Sequence, residues 1–200
     1  MDEGLYTISG VGSSQVRDRG SRFLAFAHPV TSQEEIQQVL ALYRKTYHDA
    51  RHHCYAWRLG PKGEPSFAND DGEPAHSAGT PILSAIRAAR VTEVLVVVVR
   101  YFGGIKLGVR GLMDAYREAA AAALEGLPTT LLVPKTLFSL DFDYSQTSDI
   151  NRVLHPYQPE QVEARYDERC HLVLSLPEGV FPHLAQALTR EAIPFNLIPT

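Results

Sequence analysis

The chain has 200 residues, 44% of them hydrophobic and 21% charged, with a formal net charge of −4; that suffices for one large or two small buried cores and excludes a disordered or fibrous chain. Residues 1–130 carry fourteen Lys and Arg against fourteen Asp and Glu, and residues 131–200 carry five against nine, so neither part can coat nucleic acid by bulk charge and any phosphate contact must come from a local cluster. No apolar run reaches the roughly 20 residues of a membrane helix, and residues 1–10 lack the basic and apolar regions of a signal peptide, so a cytoplasmic location is expected.

In chain order, Leu5 to Val11 and Ser21 to His28 alternate as two strands joined by the polar stretch from Gly12 to Ser21. Thr31 or Ser32 caps a helix with Glu34 and Glu35 in its first turn and Ile36, Val39, Leu40 and Tyr43 on its buried face, running to about Thr46. Asp49 to Gly60 reads as a strand with Cys54 in its apolar pattern. Pro61 to Gly63 reads as a turn, and Pro65 to Asn69 as a short edge strand. From Asn69 to Ile82 the chain is too rich in Gly, Pro and acidic residues to be regular. Thr80-Pro81 then reads as a cap and first helical position, with Ile82, Leu83, Ile86 and Ala89 as the buried stripe.

The stretch VLVVVVRYFGGIKLGVRGL, from Val94 to Leu112, dominates the chain. Its β-branched run predicts a central strand buried on both faces. Gly103, Gly104, Gly108 and Gly111 follow and predict a sharp turn into an alanine-rich helix. The helix ends near Gly126, where the charge balance shifts, giving domains at 1–130 and 131–200. Beyond it, Leu131 to Tyr144 reads as a strand, Ser145 to Leu154 as a capped helix, Gln161 to Tyr166 and His171 to Leu176 as strands, Glu178 to Glu191 as a helix and Phe195 to Ile198 as a last strand. The order βαββαβ is the ferredoxin-like pattern, which by itself implies no function.

Gly103 to Gly108 has the glycine spacing of a P-loop, but Val109-Arg110 stands where the lysine and hydroxyl are needed. The dinucleotide glycine pattern is also absent. Asp70, Asp71 and Glu73 with His52, His53 and His76 suit a divalent ion by ligand type; adjacent residues of a strand, however, point to opposite faces, which separates His52 from His53. The competing reading is that Asp70 and Asp71 bond their own loop and the helix-end N–H groups. Cys54 and Cys170 lack metal-type spacing and read as two buried free thiols. No nucleophile elbow is present.

Three segments, Arg51-HHCYAW-Arg58, Asp70-DGEPAHSAGTP-Ile82 and Val99-RYFGGIKLG-Val109, together resemble the IMPACT N-terminal domain family, and the two-domain layout resembles its bacterial YigZ-like branch. The resemblance implies an α+β protein with a first domain similar to domain IV of elongation factor G, a two-layer α/β fold of ribosomal-protein type, and a ferredoxin-like second domain similar to domain V. Eukaryotic relatives act in translational control by competing for a scaffold that activates a stress kinase. Two positions depart from the family pattern: His76-Ser77 stands where Gly-Thr is common, and Arg110 where a glycine is common.

The expectation is therefore a non-catalytic, cofactor-free binding protein linked to translation, with no metal and no membrane contact, recognising RNA or a translation-associated protein. Its site would be Arg51, His52, His53, Asp70, Asp71, Glu73, Arg100, Tyr101, Phe102, Gly103, Gly104, Lys106 and Arg110. Arg51, Arg100, Lys106 and Arg110 would contact phosphate while Tyr101 or Phe102 stacks on a base. The alternative is a metal- or phosphate-dependent hydrolase using the acidic loop and the histidines.

Overall fold

Six consecutive apolar residues from Val94 to Val99 carry no surface for water on either side, and a strand of that kind must lie between two covering layers. The computed structural model, which describes residues 4–199, places them at the centre of a mixed α/β first unit with antiparallel sheets. The elements in order are β1 (Leu5–Ile8), β2 (Gly12–Asp18), β3 (Ser21–Pro29), α1 (Gln33–Thr46), β4 (His52–Arg58), β5 (Ser66–Asn69), α2 (Gly79–Ala88), β6 (Val94–Tyr101), α3 (Gly108–Leu124) and β7 (Thr129–Leu132). The five-stranded sheet has the order β2-β3-β6-β4-β5, antiparallel throughout.

The pleat sorts the β6 side chains into two cores. Val94, Val96 and Val98 pack with Ile82 and Ile86 of α2 and Tyr116, Ala119 and Ala120 of α3. Leu95, Val97 and Val99 pack with Ile36, Leu40 and Tyr43 of α1. α1 is capped by Ser32, whose side chain accepts the Glu35 N–H, as its sequence predicts.

The polar stretch after Gly12 is a strand rather than a connection. It survives as an edge because one side is held: Ser14 donates to the Ala119 carbonyl at 2.7 Å, and Gly12 lies so close to α3 that a Cβ there would meet the Ala123 carbonyl oxygen. Arg19 and Gly20, with φ of 43° and 82°, make the tight turn into β3. The expected strand from Leu131 to Tyr144 is in fact two. β7 pairs with β1, and Pro134 separates it from the strand that follows, since proline has no N–H to continue a ladder. The first unit accordingly ends at Leu132 and the second begins at Val133.

The second unit comprises β8 (Lys135–Phe142), a 3-10 turn (Tyr144–Gln146), α4 (Thr147–Leu154), β9 (Glu160–Tyr166), β10 (Cys170–Pro177), α5 (Phe181–Arg190) and β11 (Asn196–Ile198). Its sheet order is β11-β8-β10-β9, all antiparallel. Phe138, Leu140, Leu172 and Leu174 face Ile150, Leu184 and Leu188. A capping box between Asp143 and Gln146 closes the 3-10 turn, and α4 follows from Thr147 with no side-chain cap, so Ser145 does not cap it. Among the described residues no helix is long and apolar enough to cross a membrane.

A cleft at the end of the central strand

Register carries charge to the end of β6. Arg100 pairs with His52 of β4 and with Phe23 of β3, and Tyr101 pairs with Arg22. Arg100 continues the face of Val96 and Val98 toward α3. Its side chain is 7% exposed, and its Nη1 donates to Glu73 Oε1 at 2.6 Å, with Glu73 only 4% exposed. The Tyr116 hydroxyl donates to the same oxygen at 2.8 Å, and the Cys54 thiol lies within hydrogen-bond reach of the Tyr116 oxygen and the Asp70 carbonyl. The guanidinium lies 5.5 Å from the Phe23 ring centroid and 5.7 Å from that of Phe102, while its Nε is buried without a partner. Burial raises the Tyr116 and Cys54 pKa values, and the neighbouring Glu73 carboxylate adds to both. Cys54 is thus held as a thiol, an inert core group rather than a nucleophile.

The acidic loop is built into the fold. Asp70 accepts the N–H groups of His76 at 2.8 Å, Ala78 at 3.0 Å and Gly79 at 2.8 Å, so it caps α2 from nine residues upstream; Thr80 does not. Burial works to raise the Asp70 pKa, but those three N–H groups outweigh it and hold the carboxyl below its usual range. Asp71 Oδ2 accepts the His53 N–H at 2.7 Å. β5 stops opposite Tyr55, and the carboxylate extends the edge of β4 beyond that point. The Asp71 carbonyl meets His52 Nδ1 at 2.9 Å, and Asp71 and Gly72 turn the loop with φ of 42° and 86°. The two histidines diverge as the pleat requires, with the His53 ring on the Tyr47 carbonyl at 3.1 Å. Among the described residues no three His, Cys, Asp or Glu side chains converge as a metal site.

What remains open is a cleft of about 580 Å³ lined by Asp49, Arg51, His52, Arg100, Tyr101 and Phe102. Tyr101 donates to Asp49 at 2.7 Å and lies under the Arg22 guanidinium. Arg51 and Phe102 are exposed at the mouth. Five of the expected site residues, Arg51, His52, Arg100, Tyr101 and Phe102, therefore meet here. Glu73, Asp70, Asp71 and His53 do not line it; they hold its wall from behind. Lys106 and Arg110 are exposed on the following loop and the first turn of α3, outside the lining.

The glycines divide by role. A Cβ on Gly103 would sit 1.9 Å from the Gly20 carbonyl carbon, so this glycine lets two turns pack back to back. Gly104, at φ of 88°, has open space around it. Sequence reasoning missed Tyr116 and Asp49. A tyrosine on the apolar stripe of a helix reads as core, and only its buried hydroxyl's need for a partner marks it.

The family model described as the Impact N-terminal domain matches residues 19–124, which contain the whole cleft. An IMPACT family member from Haemophilus influenzae is 34% identical over 177 residues, covering 86% of this chain and 84% of its own. The IMPACT family member YigZ from Escherichia coli is 35% identical over 159 residues, 78% of each chain. The crystal structure of a hypothetical protein, 29% identical, superposes with a TM-score of 0.70 over 100% of this chain and 98% of that one.

Proposed function

The chain belongs to the IMPACT family, and from that premise we propose that it is a non-catalytic, cytoplasmic binding protein of translation or its regulation, whose first unit recognises RNA through the cleft at the end of β6. The observation that carries this reading is the lining itself: a cationic side chain, Arg51, and an aromatic ring, Phe102, stand exposed beside Arg100 and Tyr101 in an open cleft. Arginine positions phosphate and a ring stacks on a base. Lys106 and Arg110 extend the cationic surface, and the first turn of α3 holds no acidic residue to oppose it. The link to translation rests on the family's eukaryotic members. The β-α-β-β-α-β order of the second unit supports a ferredoxin-like reading, and likeness of the two units to domains IV and V of elongation factor G is part of the same proposal.

A second reading has its own observation. Phe102, Ile105 and Val109 are 55%, 56% and 53% exposed on one short stretch, and clustered exposed apolar residues suit a translation-associated protein. The hydrolase alternative is weaker, because Asp70 and Asp71 are occupied by backbone N–H groups and Glu73 by Arg100 and Tyr116. Photocrosslinking in cells, followed by stringent purification of wild type and an Arg51→Ala, Phe102→Ala double variant, tests the proposal. RNA recovered with the wild type and depleted with the variant supports it. Equal RNA recovery from both contradicts it, and protein adducts lost in the variant without RNA favour the second reading.

A further inference from the structure

The hairpin of β2 and β3 carries Arg17, Arg19 and Arg22, all exposed. Register sets two of them against each other: Arg17 is the cross-strand partner of Arg22, and Arg22 is in turn the partner of Tyr101. Partners project from the same side of a sheet, so the three form one row across β2, β3 and β6. On the other side of β6, His52 pairs with Arg100, which places Arg51 in line with Tyr101 and continues the row to the mouth of the cleft. The sheet thus ends in the series Arg17, Arg22, Tyr101 and Arg51, which spans roughly 14 Å at the ordinary spacing of neighbouring strands.

No acidic group neutralises the hairpin end of that row. Like charges directly opposite on adjacent strands are destabilising, yet among the described residues neither Arg17 nor Arg22 has a carboxylate within 4.0 Å. Asp18 belongs to the alternate face of β2, with Val16 and the Ser14 hydroxyl that bonds α3. The Arg22 guanidinium lies 4.7 Å from the Tyr101 ring centroid, and the Tyr101 hydroxyl is anchored on Asp49 at 2.7 Å. That stack orients the guanidinium ahead of any ligand. The turn is fixed as well: Ser21 Oγ accepts the Gly103 N–H at 3.1 Å, and Gly20 packs against Gly103, so the hairpin is tied to the loop that carries Phe102.

Two opposed guanidiniums without a carboxylate are complementary to an anion, and the planar fork of arginine grips phosphate bidentately. Asp49 shapes where along the row a phosphate sits, because its carboxylate stands at the Tyr101 hydroxyl and disfavours an anion there. The two ends remain, Arg51 at the cleft and the arginine pair on the hairpin. The Tyr101 ring is occupied by Arg22, which leaves Phe102, 55% exposed, as the ring open to a base. We propose that Arg17 and Arg22 form a second phosphate site, which takes the phosphodiester backbone of an RNA strand where it leaves the cleft past Tyr101. The site rests on the RNA reading of the cleft and extends it to a hairpin outside the lining.

Two probes of the full chain separate the site from that reading. In thermal unfolding followed by Trp57, the one tryptophan, inorganic tripolyphosphate should raise the melting temperature of the wild type saturably. Arg17→Ala should remove most of that rise, and Arg117→Ala, an equal charge change between α2 and α3, should leave it. Without ligand, Arg17→Ala should melt at the wild-type temperature or above, because it relieves a like-charge pair. Binding of a uridylate tetranucleotide and dodecanucleotide is then measured across a salt series. The longer strand should give the wild type a slope of log K against log salt steeper by about 0.7, one added phosphate contact on a single strand, and Arg17→Ala should return it to the slope of the shorter one. Equal wild-type slopes for both lengths, with Arg51→Ala weakening both, overturn the hairpin site and leave the cleft as the RNA site. A tripolyphosphate rise equal in Arg17→Ala and Arg117→Ala, or a ligand-free melting temperature lowered by Arg17→Ala, also overturns it. No binding of either length overturns the RNA reading and the hairpin site together.

Discussion

Replacing Asp70 by Ala removes the acceptor for three N–H groups at once. Loss of a capping side chain costs about 0.5–2 kcal/mol. Ala78 and Gly79 are buried, so their N–H groups are also left without water, at about 1–3 kcal/mol each before the loop relaxes. Allowing for relaxation, a total near 3 kcal/mol is expected, or roughly a 10 °C drop in melting temperature for a unit of about 130 residues. Asp70→Asn keeps one oxygen for Ala78 and Gly79 but turns an amide toward the His76 N–H, so about 1–2 kcal/mol is expected. The pH dependence has a definite sign. The folded Asp70 pKa is depressed, so its contribution is fully present above the unfolded aspartate value of about 3.9 and is lost as pH falls through the folded value. Urea unfolding followed by Trp57 emission, which reports on the first unit alone, is the assay. The gap between wild type and Asp70→Asn should narrow as pH is lowered below about 4. A gap under about 0.5 kcal/mol at pH 7, or one that does not narrow in acid, refutes the assignment of Asp70 as the cap of α2.

Gly103→Ala should destabilise the first unit by about 2 kcal/mol or more, because the new Cβ meets backbone atoms of the β2–β3 turn. Gly104→Ala, strained only by its φ of 88°, should cost about 1–2 kcal/mol; urea midpoints rank the two, and the reverse order would contradict the packing role. Glu73→Gln leaves Arg100 buried beside a neutral group and should cost about 3–5 kcal/mol, whereas Tyr116→Phe removes one hydrogen bond to a carboxylate, at about 1.5–3 kcal/mol. Equal, negligible effects in thermal unfolding would show that the ion pair is solvated. Cys54 and Cys170 are 0% and 1% exposed, so a disulfide reagent at pH 8 should modify neither thiol until urea unfolds the chain; prompt modification of the native protein would place Cys54 in an accessible site.

Elements announced by a repeating apolar pattern were legible in the sequence. β6 stood out because its apolar run needs cover on both faces, and α1 because Ser32, its acidic first turn and its buried stripe agree. β2 was hidden: Gly-Ser-Ser-Gln-Val-Arg-Asp has no apolar alternation, and what makes it a strand is its neighbour β3 and the close approach of α3 to Gly12. The start of α2 was misassigned for a related reason, since its cap arrives from a residue distant in sequence and a local pattern pointed to Thr80. At the site, the motifs contain Arg51, His52, Arg100, Tyr101 and Phe102, which line one cleft, but residue type does not separate them from Lys106 and Arg110 outside it or from the residues that hold its wall. Asp70, Asp71 and Glu73 look alike in the sequence, and only the positions of β4, α2 and Arg100 show each to be committed to a different partner.

Arg100 itself is a poor probe of ligand contact, because its loss would strand Glu73 in the interior. Arg51, Lys106 and Arg110 are exposed and offer about three phosphate contacts, so log K for a structured RNA should fall by about 2–3 for each tenfold rise in salt. The measurement is that salt titration, wild type beside Arg51→Ala. The account predicts weaker binding to all sequences alike in the variant and a slope shallower by about 0.7–0.9, the signature of one lost phosphate contact. No binding by either protein at low salt, or identical slopes, would contradict an RNA site in this cleft.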